Sequence, residues 1–449
     1  MGPVTKLTNS LAKLGAASVL IPAAAALAAP PTVSPVGVPP ADDAQVAVED
    51  VATRPAQDTA AAADVPAPAQ PTPVWQAGDV DELLSYIDVV HQHGLTPADY
   101  DAAGLRDIRA TGTADEVSAA ATQRYEMLAS DLARGHAGDD ARIDWHVVDP
   151  DLKNDGDLRY LTLRALYDND VTASLDGLMP THPQYEALKA ALKKEIGKGD
   201  KASAKNVAEI RLNMDRWRWL PRDLGDRYII VNVPAYTAAL VENGETISRH
   251  RAVAGAKNTP TPQLSVEATG VIFNPYWNVP KSIEPEVRGK AGYEAVRADD
   301  GSIIRWRQPP GPSNSLGRVK FVMYNPHLIY LHDTNARGLF NAEERARSHG
   351  CIRTENILKL ATILLEEDGG EWSAAKTAEV INSGENTGAQ FVKPIPVHIV
   401  YFSAVAKADG DILAYDDIYN RDKPVLAALN DAPRGLDPLA PRDEVAALN

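Results

Sequence analysis

The stretch Tyr330-Leu-His-Asp-Thr-Asn-Ala-Arg-Gly-Leu-Phe-Asn-Ala-Glu-Glu-Arg-Ala-Arg-Ser-His-Gly-Cys-Ile-Arg353 decides both the fold and the chemistry of this chain. It contains Cys351, the only cysteine among the 449 residues. A second feature is His332, which follows the apolar residues 328–331, and that run predicts a strand. A cysteine nucleophile needs a base within hydrogen-bond reach, so Cys351 and His332 together predict a thiolate enzyme.

The surroundings of Cys351 offer several ways to stabilise a thiolate. A helix is predicted directly after the cysteine, and its N-terminal dipole would favour negative charge. Arginines 345, 347 and 353 add positive charge to an acidic chain. His332, at the end of a strand, is a better candidate for the general base than His349, which shares the turn of the nucleophile. Backbone N–H groups of Gly350 and Cys351 are candidates for an oxyanion site, because glycine permits unusual backbone angles.

Three other interpretations of the same residues remain open. A buried, inert Cys351 would behave as a small hydrophobic residue. A zinc site built from His332, His349 and Cys351 would lack a fourth ligand, so no metal or other cofactor is predicted. A papain-like peptidase would carry a different cysteine signature and a downstream histidine.

Two further histidines lie far from this motif. His91 and His93 lack companions at ligand spacing and are predicted to be surface residues.

The composition predicts an exported globular protein. The net charge of −16 argues against a nucleic-acid partner, which usually meets a basic face. Lys6 and Lys13 precede the small, apolar residues 14–27, and Ala26-Leu27-Ala28 fits a cleavage site. The apolar part is shorter than a membrane span, so residues 1–28 are predicted to be a signal peptide cleaved near Ala28, with an uncleaved anchor as the alternative.

The rest of the chain divides by pattern into an α+β protein. Residues 29–73 are rich in Pro and Ala and predict a disordered linker, and residues 74–205 follow helical spacing, as at Tyr125, Leu128 and Leu132. Residues 206–403 predict a domain that begins with a helix and continues as a mostly antiparallel β structure. The Asn243-Gly244 pair marks a tight hairpin turn in it.

Two segments interrupt this β domain, and one follows it. Residues 281–318 are polar, rich in turn formers and predicted to have little regular structure, which is typical of a lid; a disordered excursion is the alternative. A helix is predicted after the cysteine, with Thr354 as its N-cap. The segment 404–449 is interpreted as a peripheral tail, to which the sequence assigns no chemistry.

The motif His332-Asp-Thr with Ser348-His-Gly-Cys-Ile-Arg353 resembles the signature of the L,D-transpeptidases with a YkuD-type catalytic domain. Three further segments resemble the YcbB-like subgroup, and the resemblance covers 206–403 strongly and the preceding helical region weakly. These segments are Arg211-Leu-Asn-Met-Asp-Arg-Trp-Arg-Trp-Leu-Pro221, Tyr228-Ile-Ile-Val-Asn-Val-Pro234 and Phe273-Asn-Pro-Tyr-Trp-Asn-Val-Pro280.

The resemblance implies a reaction on peptidoglycan stem peptides in the periplasm. Cys351 would attack the diaminopimelate–D-Ala bond, His332 would act as base, and the acyl group would pass to another diaminopimelate as a 3→3 cross-link. Ser348, His349, Gly350 and Arg353 would support the motif or the oxyanion, and Tyr330, Asn274 and Trp277 would line the cleft. The 281–318 insertion would be a capping subdomain. Water or an outer-membrane protein could replace the amine acceptor, and carbapenems acylate the cysteine of many relatives. A non-enzymatic peptidoglycan-binding scaffold is the remaining alternative.

The sequence departs from these relatives in two places. The helix over 185–196 runs almost directly into the next one, which leaves no room for the small peptidoglycan-binding domain that YcbB-like enzymes commonly carry. Asp333 also stands where many L,D-transpeptidases have Gly after the histidine, although the YcbB-like subgroup resembles this sequence there. A backbone carbonyl is therefore predicted to orient His332.

Overall fold

A computed structural model of the chain describes residues 71–148, 152 and 155–431. The predicted signal peptide, its cleavage site near Ala28 and nearly all of the predicted linker lie outside these residues, as does the chain after residue 431. Within the described part, no helix combines the length and the apolar character needed to cross a membrane.

The region before the β domain is helical, as predicted. Helix α3 (Ala114–Arg134) shows why: Thr113 and Glu116 form a capping box at its start, and its apolar stripe is buried. His93, predicted at the surface, is buried and stacks on Tyr86 with ring centroids 5.7 Å apart. The other helices here are α1 Ala77–Val89, α2 Ala102–Thr111, α4 Asp155–Asp168, α5 Val171–Asp176, α6 Pro183–Ile196 and α7 Lys201–Arg218, with short 3-10 helices at Val90–His93, Pro97–Tyr100 and Asp139–Ala141.

Helix α7 joins the helical region to the β domain without a break. It crosses the boundary predicted between residues 205 and 206. Trp217, near its end, lies between the rings of His182 and Phe402, with centroid distances of 4.3 and 4.5 Å. His182 precedes α6 and Phe402 follows the last long strand, so this aromatic stack packs the two regions against each other.

The apolar run 328–331 predicts a strand, but only Leu331 of this run lies in one, so the prediction is wrong for residues 328–330. The β domain and the segment after it contain both long and short strands. They are β1 Arg227–Asn232, β2 Thr237–Glu242, β3 Glu245–Gly255, β4 Leu264–Phe273, β5 Trp277–Asn278, β6 Glu294–Arg297, β7 Ile303–Gln308, β8 Val319–Met323, β9 Leu331–His332, β10 Ala346–Ser348, β11 Ile352–Thr354, β12 Thr387–Val400, β13 Ala404–Ala406 and β14 Ile412–Ala414. The remaining helices are α8 Glu284–Val287, α9 Ile357–Glu367, α10 Ala374–Ser383 and α11 Asp422–Asn430, with a 3-10 helix at Arg337–Asn341.

The main sheet has the order β10-β3-β11-β9-β8-β4-β12-β1-β2, and β2 also pairs with β3. Antiparallel pairings predominate, but β1–β12, β3–β10 and β9–β11 are parallel. The predicted hairpin is present between β2 and β3, where Asn243 and Gly244 both have positive φ (49° and 80°). The predicted α+β class, with helices first and a mostly antiparallel β domain after them, is thereby confirmed.

The insertion over 281–318 is more regular than predicted. Strands β5, β7 and β6 form a separate three-stranded sheet. Helix α8 packs with it around a small apolar core that includes Val279, Ile283 and Val287, flanked by Trp277 and Trp306. The expectation of little regular structure is wrong, because short strands with exposed faces lack the apolar alternation that marks a strand in sequence. We call the unit formed by residues 277–308 the cap.

The helix after the cysteine begins later than predicted. Its N-cap is Asn356 in the left-handed region (φ 53°), whereas Thr354 ends strand β11. Strand β11 therefore separates Cys351 from helix α9, and the N-terminus of this helix does not directly follow the sulfur as predicted. The predicted helix is nevertheless present, and it buries an apolar face that includes Ile357, Leu360 and Leu364.

Residues 404–431, interpreted from the sequence as part of a tail, are folded. Strands β13 and β14 pair, and α11 packs on α7. Arg421, just before α11, is 4% exposed and donates to the carbonyl oxygen of Thr261 and to the carboxylate of Asp144. Tyr419 donates its hydroxyl to the carbonyl oxygen of Gly255. This segment thus supports the loop between β3 and β4.

Candidate active site

The pairing of two short strands brings the predicted catalytic residues together. Strands β9 and β11 are parallel, with Ile352 opposite Leu331 and Arg353 opposite His332. Leu331 and Ile352 are fully buried in the core. Because side chains alternate between the two faces of a sheet, the flanking residues point the other way. These residues, Tyr330, His332, Cys351 and Arg353, all line one cavity of about 630 Å³ between the sheet and the cap.

A tight turn holds the cysteine in place. Gly350 has φ 110°, and a Cβ there would lie 3.1 Å from the side chain of Ile329, so only glycine fits well. The Ser348 hydroxyl donates to the carbonyl oxygen of Cys351 at 2.6 Å and accepts from the Gly350 N–H at 3.2 Å. Thr261 donates its hydroxyl to the Gly350 carbonyl oxygen at 2.7 Å. The Gly350 N–H thus points at Ser348, contrary to the prediction that it would serve an oxyanion.

The sulfur of Cys351 lies in an environment that favours the thiol. Cys351 is half-buried, and its Sγ is 3.5 Å from the carbonyl oxygen of Leu328. Burial raises the pKa of Cys351 to about 11, although hydrogen bonding to Tyr330 and the charges of Lys320 and Arg353 act in the opposite direction. The sequence led us to expect a preformed thiolate, and the covered site instead favours the neutral group.

His332 is held as a neutral imidazole. Burial, followed by the charge of Arg353, lowers its pKa to about 3, and the backbone of Asp333 partly offsets this. Its Nδ1 is buried and has no hydrogen-bond partner among the described residues. A neutral ring with an unoccupied nitrogen in the same cavity as Cys351 is suited to accept a proton during a reaction.

Asp333 supports the strand that carries the histidine. Its carboxylate is 2% exposed and accepts hydrogen bonds from the Arg318 N–H at 2.9 Å and from Arg337 at 2.9 Å. The carboxylate is thus occupied by Arg318 and Arg337. The backbone of Asp333 acts on the imidazole and raises its pKa against the effect of burial. That a backbone carbonyl orients the ring of His332 stays a prediction, since Nδ1 has no hydrogen-bond partner among the described residues.

Two predicted site residues have other surroundings. Asn274 does not line the cavity; it is 3% exposed, and its amide donates to the carbonyl oxygens of Val380 and Glu385 at 2.9 and 3.1 Å. It therefore fixes the connection between α10 and β12. The His349 ring is exposed and lies 3.3 Å from the Glu286 carboxylate of the cap, so it joins the cap to the cysteine turn.

Trp277 and Tyr330 line the cavity, as predicted. Tyr330 is buried, and burial raises its pKa well above the ordinary value, so its hydroxyl stays protonated. Neither Lys320 nor Thr261 stands out in the sequence, because their positions near the site depend on strand register and on contacts between distant segments. No group of three or more His, Cys, Asp or Glu residues in the described ranges is placed to hold a metal ion.

Comparison with known proteins agrees with this geometry. Residues 226–387 match the family of L,D-transpeptidase catalytic domains named YkuD, and residues 67–192 match a scaffold domain. A curated protein of Haemophilus influenzae, provisionally named an L,D-transpeptidase, is 31% identical over 249 residues, which cover 49% of this chain and 50% of that protein. The chain therefore spans about half the length of this relative.

Solved structures with a detectable likeness include two L,D-transpeptidases. The enzyme from Mycobacterium smegmatis is 13% identical, with a TM-score of 0.20, over 39% of this chain and 58% of that one. A variant of the Enterococcus faecium enzyme is also 13% identical, with a TM-score of 0.21, over 40% and 52%.

Proposed function

We propose that the protein is a periplasmic cysteine L,D-transpeptidase, and the match of residues 226–387 to the YkuD family of L,D-transpeptidase catalytic domains supports this proposal. Its substrate would be the tetrapeptide stem of peptidoglycan, cleaved at the diaminopimelate–D-Ala bond. The products would be free D-Ala and a 3→3 cross-link to a second stem.

One observation carries the assignment of residues. The register of β9 against β11 brings Cys351 and His332 to the same face of the sheet and into one cavity. A thiol and an imidazole that share a covered cavity fit acyl transfer through a thioester. A sulfur packed as an inert core residue would instead lie on the face occupied by Leu331 and Ile352.

The reaction can be written with these groups alone. The Cys351 thiol gives its proton to His332 while the sulfur attacks the carbonyl carbon of diaminopimelate. Breakdown of the tetrahedral adduct breaks the C–N bond, His332 returns the proton to the leaving amine of D-Ala, and a thioester remains. The side-chain amine of another diaminopimelate then attacks the thioester. Its proton passes through His332 to the sulfur, and the new amide is released.

Two further groups have a place in this scheme. The backbone N–H of Cys351 is the remaining candidate from the sequence for an oxyanion donor, because that of Gly350 is engaged. Arg353 lines the cavity, and its Nε has no hydrogen-bond partner within the described structure. Its guanidinium is therefore available to a carboxylate of the stem peptide.

The test is product analysis on a defined disaccharide-tetrapeptide. We expect the purified protein to release D-Ala and to form 3→3 dimers, and we expect Cys351→Ala to form none. His332→Gln should lower turnover at least a hundredfold, which is within the range for loss of a general base. His93→Gln is the matched control, because it changes an equally buried histidine of the helical region and should leave turnover unchanged.

Three outcomes separate the alternatives. Dimers formed by Cys351→Ala would refute the mechanism. Tripeptide without dimers would show that water is the acceptor and that the protein is an L,D-carboxypeptidase. If no product forms and mass spectrometry finds no carbapenem adduct on Cys351, the protein is better described as a non-enzymatic scaffold.

A further inference from the structure

A buried lysine lies beside the proposed general base. Lys320, on β8, is directly opposite His332 on β9 in an antiparallel pairing. Arg353, on β11, is opposite the same histidine from the other side. Residues that face each other across neighbouring strands project from the same face of the sheet. The imidazole is therefore flanked by two cationic side chains, one from each adjacent strand.

Lys320 projects from the same face of the sheet as His332 but is not a lining residue of the cavity. Its side chain is buried, with 8% of the residue exposed. Its Nζ lies 5.6 Å from the ring centroid of Tyr330, whose hydroxyl side faces the sulfur of Cys351. On the other neighbouring strand, β4, the residue in register is the apolar Ile272. Lys320 thus lies close to Tyr330 and His332, although it is not one of the residues that line the cavity.

We propose that Lys320 is an electrostatic positioning residue for the reaction of Cys351. Its charge favours the anion on sulfur and disfavours the protonated form of His332. The proton taken from the thiol is then readily given up to the leaving amine instead of remaining on the ring. The role in turnover rests on the proposed function, whereas the effect on the thiol does not.

The physical reason is that a buried charge acts on both partners with opposite consequences. Charges inside a protein are weakly screened, so a cation two strands away still stabilises a thiolate. The same cation destabilises an imidazolium and makes it a stronger acid. The charge of Lys320 therefore lowers the pKa of the Cys351 thiol and also the pKa of His332. Each change is measurable without substrate.

Other titratable and charged groups also face this cavity, and all stay unchanged in a Lys320 variant. His349 is paired with Glu286 of the cap, and His327 lies at the cavity wall. Tyr330 precedes β9, His332 lies in β9 and Arg353 lies in β11. The cap contributes Lys281, Glu284, Glu286, Lys290, Tyr293 and Arg305. A difference between Lys320→Met and Lys320→Arg therefore reports the charge at this one position.

The experiment is alkylation of Cys351 by iodoacetamide across pH 6 to 10, with the natural protein, Lys320→Met and Lys320→Arg. Because Cys351 is the only cysteine, intact-mass measurement follows it without ambiguity. We expect the Lys320→Met profile to move to higher pH, with a rate at pH 8 about tenfold lower for a shift of about one unit. Lys320→Arg should stay within about twofold of the natural protein.

The direction of the shift distinguishes charge from packing. If Lys320 only fills space, Lys320→Met will loosen the site, let water in and move the profile to lower pH. That result, or an unchanged profile in a folded variant, overturns the proposal. Should Lys320→Met fail to fold, Lys320→Gln keeps a polar side chain without the charge and must show the same upward shift.

Product analysis separates this inference from the proposed function. Dimers formed by the natural protein together with an unchanged alkylation profile in Lys320→Met would refute the role of Lys320 alone. An upward shift with no dimers would refute the transpeptidase activity and leave the electrostatic role in place.

Discussion

Acid should destabilise this protein partly through His332. The folded-state pKa of His332 is about 3, below the ordinary value of 6.5, because the ring is buried beside Arg353. Between these two values the unfolded chain binds a proton that the folded protein does not. The stabilisation is therefore complete above pH 6.5 and is lost as the pH falls toward 3.

The expected size follows from the shift. A difference of 6.5 − 3, or about 3.5 units, corresponds to about 5 kcal/mol in total and to a slope of about 1.4 kcal/mol per pH unit in the middle of the range. We expect His332→Gln to lack this contribution. Between pH 6 and pH 4 the natural protein should lose about 2 kcal/mol more of its free energy of unfolding than the variant does.

Urea unfolding at pH 6, 5 and 4, followed by tryptophan fluorescence, measures these slopes. His93→Gln is the matched comparison, because burial also lowers the pKa of His93 to about 3. Both variants should flatten the pH dependence by a similar amount, but only His332→Gln should lose turnover. Parallel curves for the natural protein and His332→Gln would show that the ring is already solvated or charged in the fold, and the account of the neutral base would fail.

Two other substitutions test the supports of the site. Asp333→Ala leaves the partly buried backbone N–H of Arg318 without its acceptor and should cost about 2 kcal/mol in urea unfolding. Arg337→Ala removes only an exposed partner of the same carboxylate and should cost less than about 1 kcal/mol, and equal losses would contradict this. Arg421→Ala should cost about 3 kcal/mol, because it breaks a largely buried pair with Asp144, and a loss below about 1 kcal/mol would show that residues 404–431 are peripheral after all.

The sequence was informative where local pattern determines structure. Helical spacing identified the helical region, and Asn243-Gly244 identified the hairpin, because a type I′ turn requires positive φ at both positions. The motif around Cys351 predicted that Cys351 and His332 lie together, and both line one cavity. Each of these depends on residues close together in the chain.

The failures share a different cause. Asn274 follows a strand, and an asparagine there looks the same in sequence whether it faces a cleft or clamps carbonyl oxygens. Thr354 is a good N-cap by residue type, but strand β11 pairs with β3 and β9 and keeps this segment extended. The helix therefore begins after Asn356, which is its N-cap. The sequence does not indicate a role for Lys320, because only the register of β8 against β9 places it beside His332.

The neutral state of the site also bears on how a lone cysteine persists outside the cytoplasm, where we propose this protein acts. Oxidation of a thiol follows its thiolate character and its exposure. Cys351 is half-buried under the cap with a raised pKa, so little thiolate is present at rest. Reactivity then depends on a substrate that brings its carbonyl carbon to the sulfur while His332 takes the proton. Burial that is unfavourable for a preformed thiolate therefore suits an enzyme whose single thiol must survive between turnovers.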